Sequence, residues 1–341
     1  MHPAVWAVFI LFILAMLAID LGVFNRTPHV MRFKEAMGWL GVWIGLAIGC
    51  GIFIWAAYTH HWFGAGIDPE SVPGRAAEQL PVSGVDAAIQ YFTGYLVEMS
   101  LSVDNIFVIA IVFQYFRVPG ILQHRVLFWG IMGAIILRGV MIIAGAALLA
   151  RFDWIVYVFG GFLILTAIKM ALFKHEDIEP EKNLVLRVIR KFMPVHNSFV
   201  GQHFVVKLHG RLVATPLLVC LAIIETTDVV FAFDSIPAIF GITRDPFIVF
   251  TSNLFAILGL RTMYFGLAGL LARFHYLSKA LILVLAFVGV KMCIHSWVEI
   301  PNMVSLGIVL GLLGCGVLVS LLVPAKGQAE LVPQHDPGAG E

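Results

Sequence analysis

The sequence predicts an all-α polytopic membrane protein of about nine transmembrane helices, six of them forming an inverted three-plus-three repeat. Three observations carry that prediction. Hydrophobic residues make up 60% of the 341-residue chain and charged residues only 13%, with a mean hydropathy of +0.94, whereas a soluble domain is roughly 25% charged. Apolar runs of the length a bilayer demands, about 20 residues, follow one another along the chain. Blocks from the first half then recur, in order, in the second.

The spans run over 4–24, 39–59, 86–115, 126–150, 153–173, 213–240, 246–271, 279–298 and 303–323. The first apolar run, Ala4 to Leu21, has no basic stretch before it and no small-residue cleavage motif after it. It therefore reads as a retained helix and not a signal peptide. The third and sixth spans are long and carry acids, so each is expected to be bent or broken. The domains that follow are 1–60 (helices one and two), 61–85 (an extracytoplasmic loop), 86–173 (repeat one), 174–212 (a cytoplasmic loop), 213–298 (repeat two) and 303–323 (helix nine). The tail, 324–341, is rich in Pro, Gly and Ala and is expected to be disordered.

Basic residues set the orientation, because loops rich in Lys and Arg stay in the cytoplasm. Arg26, Arg32 and Lys34 follow helix one, Arg117 and Arg125 follow helix three, and Arg273 and Lys279 follow helix seven. The 174–211 loop adds Lys174, Lys182, Arg187, Arg190, Lys191, Lys207 and Arg211. These loops all fall on one side. The largest loop on the other side holds Asp68, Glu70, Glu78 and Asp86 against Arg75 alone. The N-terminus is thus expected outside and the C-terminus in the cytoplasm. His196, His203 and His209 in the long loop admit a metal-sensing reading, but a solvated connector accounts for them.

Composition excludes several classes. A net charge of +1 favours no nucleic-acid partner. Cys50, Cys220, Cys293 and Cys315 lie in apolar runs with no CxxC spacing, so neither a disulfide framework nor a thiolate zinc site is expected. No prosthetic group is expected. The lipid bilayer is one partner; the sequence leaves a homo-oligomer open.

The repeat is read from four blocks. Leu148-Leu149-Ala150-Arg151-Phe152 recurs as Leu270-Leu271-Ala272-Arg273-Phe274, and Lys169-Met170 as Lys291-Met292. Leu137-Arg138 matches Leu260-Arg261, and Asp104-Asn105-Ile106 matches Asp234-Ser235-Ile236. Six residues before each of those aspartates stands another acid, Glu98 or Asp228. Each repeat has three spans, and an odd number inverts the second copy. Inverted repeats with a binding site near the midplane are the architecture of secondary transporters.

The chemistry concentrates in two segments, Glu98-Met-Ser-Leu-Ser-Val-Asp104-Asn105 and Glu225-Thr-Thr-Asp228 through Asp234-Ser235-Ile-Pro237. Five carboxylates (Glu98, Asp104, Glu225, Asp228, Asp234) fall inside spans. Each costs about 2.5–3.5 kcal/mol at a bilayer centre on an insertion scale, so they must meet water, protons, cations or a metal. Arg138 and Arg261 supply fixed cations at repeat-related positions, and Lys169 and Lys291 lie further along. Glu225 and Asp228, at i and i+3, share a helix face. Glu98 and Asp104 are about 120° apart on a continuous helix and about 9 Å along it; they converge on one ion only if the helix is interrupted. Pro237 offers such a break in the second segment. The donors are oxygens: these carboxylates, with Ser102, Asn105 and Ser235 in support and Asn253 as a weaker candidate. Such sets suit Mg²⁺, Ca²⁺ or Mn²⁺ over softer metals.

These segments, with Thr251-Ser-Asn253-Leu-Phe-Ala-Ile-Leu-Gly-Leu-Arg261, resemble the TerC family, specifically its Alx-like bacterial members, from about Asp20 to helix nine. The resemblance implies Mn²⁺ efflux across the bacterial inner membrane, with the five acids binding the ion. Proton antiport is the expected coupling, since buried carboxylates without metal favour protons. Two other classes stay open: an accessory stress-resistance protein of the tellurium-resistance type whose acids are structural, and a membrane-embedded metal-dependent enzyme.

Overall fold

The computed structural model describes residues 3–19, 33–66, 82–152, 154–172, 187, 189, 191, 193–196, 198–208, 210–267, 275–298 and 300–322. Among them are nine α-helices: α1 (Pro3–Ile19), α2 (Phe33–Thr59), α3 (Gly84–Tyr115), α4 (Gly120–Arg151), α5 (Ile155–Leu172), α6 (Pro216–Phe240), α7 (Pro246–Leu267), α8 (His275–Ile294) and α9 (Asn302–Leu322). Eight are long and apolar enough to cross a bilayer; α1, at 17 residues, is shorter. Helices are forced on such sequences because hydrocarbon offers backbone groups no other partner. The fold is the expected all-α polytopic bundle.

Helix starts follow local chemistry. Ser83 caps α3, its hydroxyl oxygen accepting from Asp86 N at 3.0 Å. Pro216 and Pro246 open α6 and α7, where a missing N–H costs nothing. Three expectations are corrected. Both α3 and α6 run unbroken, and Pro237 sits within α6 in its last turn. The ring removes a single bond, from residue 237 back to the carbonyl of residue 233, and α6 continues through it to Phe240. The start of α4 lies six residues before the predicted one, at Gly120 after Pro119. The sixth span, expected from 213, starts at Pro216, because β1 (Val205–Leu208) and β2 (Arg211–Ala214) pair as an antiparallel hairpin before it. The hairpin leads into α6 through buried Thr215, which donates to His203 O at 2.8 Å. His209, Asp20 and the tail lie outside the described residues.

Packing centres on α7, which is almost wholly buried and enclosed by α2, α3 and α4. Trp6 and Phe9 of α1 add ring contacts to Phe247. By contrast α4 and α5 turn Ile136, Val140, Ile143 and Leu165 outward, as a lipid-facing surface does. The contacts between halves come in exchanged pairs. Helix α3 packs on α7 as α6 packs on α4, while α3 meets α6, α4 meets α7 and α5 meets α8. That is the pairing expected if α3–α5 and α6–α8 are equivalent units about a two-fold axis. Where α5 crosses α8, Gly160 and Gly289 face each other: a Cβ on either would stand 2.9 Å from the other's carbonyl oxygen. Close backbone approach at small residues is how helices gain contact in lipid.

Candidate functional site

Arg138, halfway along α4 and 1% exposed, is the centre of the site. Its Nη1 donates to Glu98 Oε1 of α3 and, at 3.3 Å, to Ser235 Oγ of α6. Its Nε and Nη2 form a fork on Asp228 of α6, at 3.0 Å to Oδ2 and 2.8 Å to Oδ1. Asn105 Nδ2 of α3 also donates to Asp228 Oδ1, at 3.3 Å. A planar guanidinium suits such a fork, and a point-charge ammonium does not. The centre therefore gathers around one arginine Glu98 with Asp228 and Asn105 with Ser235, the residues matched between the two sequence blocks.

Electrostatically the cluster is short of positive charge, with one guanidinium against two carboxylates. Glu98 is fully buried, and a buried ion pair recovers its desolvation cost only when the remaining lone pairs are also satisfied. They are not. Glu98 Oε2, Ser102 Oγ and Asn105 Oδ1 are buried without a hydrogen-bond partner. Residues 98, 102 and 105 are spaced i, i+4, i+7, so the three lie along one face of α3. A stripe of unsatisfied oxygens beside a carboxylate pair is the donor chemistry of a hard cation.

The other predicted residues are placed differently. Glu225 lies one turn before Asp228 on α6, with its carboxylate set against Gly133 of α4; a Cβ at Gly133 would overlap both its oxygens. Its Oε2 is buried and unpartnered. Asp234 stands apart, facing α5: it accepts from Thr166 Oγ1 at 2.9 Å and feels the Lys169 charge. Because α6 is unbroken, Asp228 and Asp234 point in different directions, and Asp234 is not brought to the Arg138 centre. Asp104 lies on α3, but its side chain is outside the described residues. Arg261 and Asn253 are buried on α7, at 3% and 2% exposure, and the Asn253 Nδ2 is unpartnered. Among the described residues no three of His, Cys, Asp and Glu form a ready metal-ligand group; the described donors are mixed carboxylate, hydroxyl and amide.

A cavity of about 30 Å³ opens next to the centre, lined by Asn105, Leu127, Gly130, Ala134, Thr227 and Asp228 among others. That is space for about one water molecule. It lies toward the C-terminal end of α3 and in the N-terminal half of α4, against the middle of α6, with Asn105 and Asp228 in its polar lining.

Sequence reasoning missed Gly133, Thr166 and a buried Tyr58–Asp245 hydrogen bond. Thr166, one turn before Lys169 on the same face of α5, had a usable signal, as did Asp245, the acid before a helix-opening proline. Gly133 had none.

The fold and the centre together define a polytopic membrane protein with an ionic site built into its bundle. The chain belongs to the integral membrane protein TerC family, whose match covers residues 83–328. It is 48% identical to an uncharacterized membrane protein of Myxococcus xanthus over 94% of this chain and 92% of that one. Two relatives bear the name "putative membrane-bound redox modulator Alx". The Escherichia coli K12 protein is 45% identical over 91% of this chain and 92% of its own, and the Salmonella typhi protein 42% over 94% and 95%. No solved structure matches the chain.

Proposed function

We propose that this protein exports a hard divalent cation, Mn²⁺, from the cytoplasm across the bacterial inner membrane, with protons returning. The observation that carries the reading is the face of α3 on which Glu98, Ser102 and Asn105 present buried, unpartnered oxygens beside Asp228. The carboxylates supply charge, and the hydroxyl and amide oxygens complete a hard donor set. Mn²⁺ itself and the outward direction come from the resemblance to the Alx-like members of the TerC family; the charge of the loops supports an N-out, C-in orientation. In that orientation the cavity beside Asp228 lies on the cytoplasmic side, where an exported ion enters. Glu225, one turn nearer that side, would meet the ion first. Asp104 and Asp234 complete the predicted set, Asp234 as a separate station beside Thr166. Movement of one repeat against the other would then expose the ion outside.

The redox name belongs to the relatives. In this chain Cys50, Cys220, Cys293 and Cys315 are free thiols on four different helices, and the bundle is built around a carboxylate–guanidinium centre instead.

The test is Mn²⁺ flux from liposomes holding the purified protein, with and without an imposed pH gradient. Wild type is expected to release Mn²⁺, faster with inward protons. Asp228→Asn and Asp234→Asn, purified as monodisperse proteins, are expected to lose at least roughly tenfold, the worth of about 1.4 kcal/mol of binding. Absence of flux in wild type under both conditions would replace transport with the accessory, structural reading of the acids.

A further inference from the structure

Arg138 occupies the carboxylates that the cation needs. Its fork takes both Asp228 oxygens, and its Nη1 takes Glu98 Oε1. On the transport reading above, one side chain and one ion thus compete for the same donors. We propose that Arg138 is a built-in counter-cation: the cation displaces it on loading, and it returns to the Glu98–Asp228 pair when the carrier is empty.

Three features support this. The guanidinium and both carboxylates come from three helices, α4, α3 and α6, of both repeats, so its bonds span the interface across which the repeats move. A divalent ion neutralises two carboxylates where a guanidinium neutralises one, so exchange of one for the other is driven by charge. The empty pair, without Arg138, would cross the bilayer with two bare carboxylates, the most costly state available. With Arg138 docked, half of that charge is matched, and one returning proton matches the other half as the carrier reorients. The unpartnered Glu98 Oε2 and Ser102 Oγ give the ion a foothold at the centre before the fork opens. Arg138 is in this view a positioning residue that sets which states of the carrier can move.

The prediction separates two fluxes. Net efflux into Mn²⁺-free buffer requires the empty carrier to reorient; exchange of Mn²⁺ for labelled Mn²⁺ at equal concentrations does not. In liposomes, Arg138→Gln is expected to lose net efflux by roughly tenfold or more while exchange persists and half-saturates at roughly tenfold lower Mn²⁺, because the competing cation is gone. Arg138→Lys loses the two-armed fork but keeps the positive charge; because reorientation of the empty carrier depends on that charge, it is expected to lower both fluxes while holding the ratio of net efflux to exchange within about threefold of wild type. The proposal fails if monodisperse Arg138→Gln loses both fluxes in parallel or keeps their ratio. Should Arg138→Gln not fold, Arg138→Lys decides: a preserved ratio supports the counter-cation, and a collapsed ratio with intact exchange overturns it. Wild type without any Mn²⁺ flux would instead overturn the transport reading on which this rests.

Discussion

Gly133 shows how a single missing side chain shapes the site. Mid-helix glycine is unfavourable by roughly 1 kcal/mol relative to alanine, yet here a Cβ would occupy the space of the Glu225 carboxylate. Gly133→Ala should therefore leave the fold at least as stable while displacing Glu225 from α4. The expected outcome is an unchanged or slightly raised melting midpoint in detergent, with Mn²⁺ flux reduced several-fold. Gly161→Ala is the control: nothing stands within 4 Å of a Cβ there, and flux should match wild type. Equal flux in both variants would show that Glu225 does not depend on its cradle. Gly133 thus joins Arg138 as a residue that acts on carboxylates instead of acting as a ligand.

The element that most depends on one contact is α7. Its first turn is capped by Asp245, whose Oδ1 accepts from Phe247 N at 2.9 Å, while the other oxygen accepts from the Tyr58 hydroxyl of α2. Tyr58 is fully buried and Asp245 3% exposed, so the pair ties α2 to the connection between the repeat-two helices. Burial pushes the Asp245 carboxyl above the usual carboxylate range, and the Tyr58 hydroxyl and the Phe247 N–H pull it partly back. A carboxyl raised in the folded state adds stability below its unfolded value and loses it as pH rises through the folded value. Removing the Tyr58 donor leaves a buried acceptor short of a partner, at about 1–3 kcal/mol. Tyr58→Phe should therefore lower the melting midpoint, and more at alkaline than at acid pH. Asp245→Asn keeps the cap and has no charge to desolvate, so its melting midpoint should vary less with pH than that of wild type. Melting curves taken upward in pH from the unfolded carboxyl value of about 4 check both; a pH-independent loss in Tyr58→Phe would remove the electrostatic part of this account.

At the scale of the whole molecule, the exchanged packing of α3 on α7 and α6 on α4 is the arrangement an inverted pair of three-helix units would give. An inverted pair adds a topological prediction. Arg151, at the end of α4, should face outside, and Arg273, its repeat mate, the cytoplasm. Reporter fusions after residue 151 and after residue 273 should give opposite signals, one active outside and one active in the cytoplasm, and a fusion after 323 should match the second. The same signal from the first two would rule out inversion. Helix α7, packed against α2, α3 and α4, carries buried Thr251, Asn253 and Arg261 through the interior as a polar spine.

What the sequence by itself determined was the class and the number of apolar helices; it also singled out the polar residues that the bundle gathers at Arg138. Hydropathy alone locates membrane helices, because lipid leaves a backbone no alternative to internal hydrogen bonds. Buried acids announce themselves because their cost must be met by something functional or structural. Repeat matching went further: Glu98 with Asp228 and Asn105 with Ser235 are read from order along the chain, and both pairs meet in space. Only the tertiary structure decided how these residues divide. Whether Asp234 joins Asp228 turned on whether α6 breaks, and a proline in a last turn does not break it. That Arg138 takes both carboxylates, and that Gly133 makes room for Glu225, are consequences of which helix faces meet. Periodicity gives the faces of a helix, but the neighbour each face finds is set by packing across the bundle, and it is there that charge is matched or left for an ion.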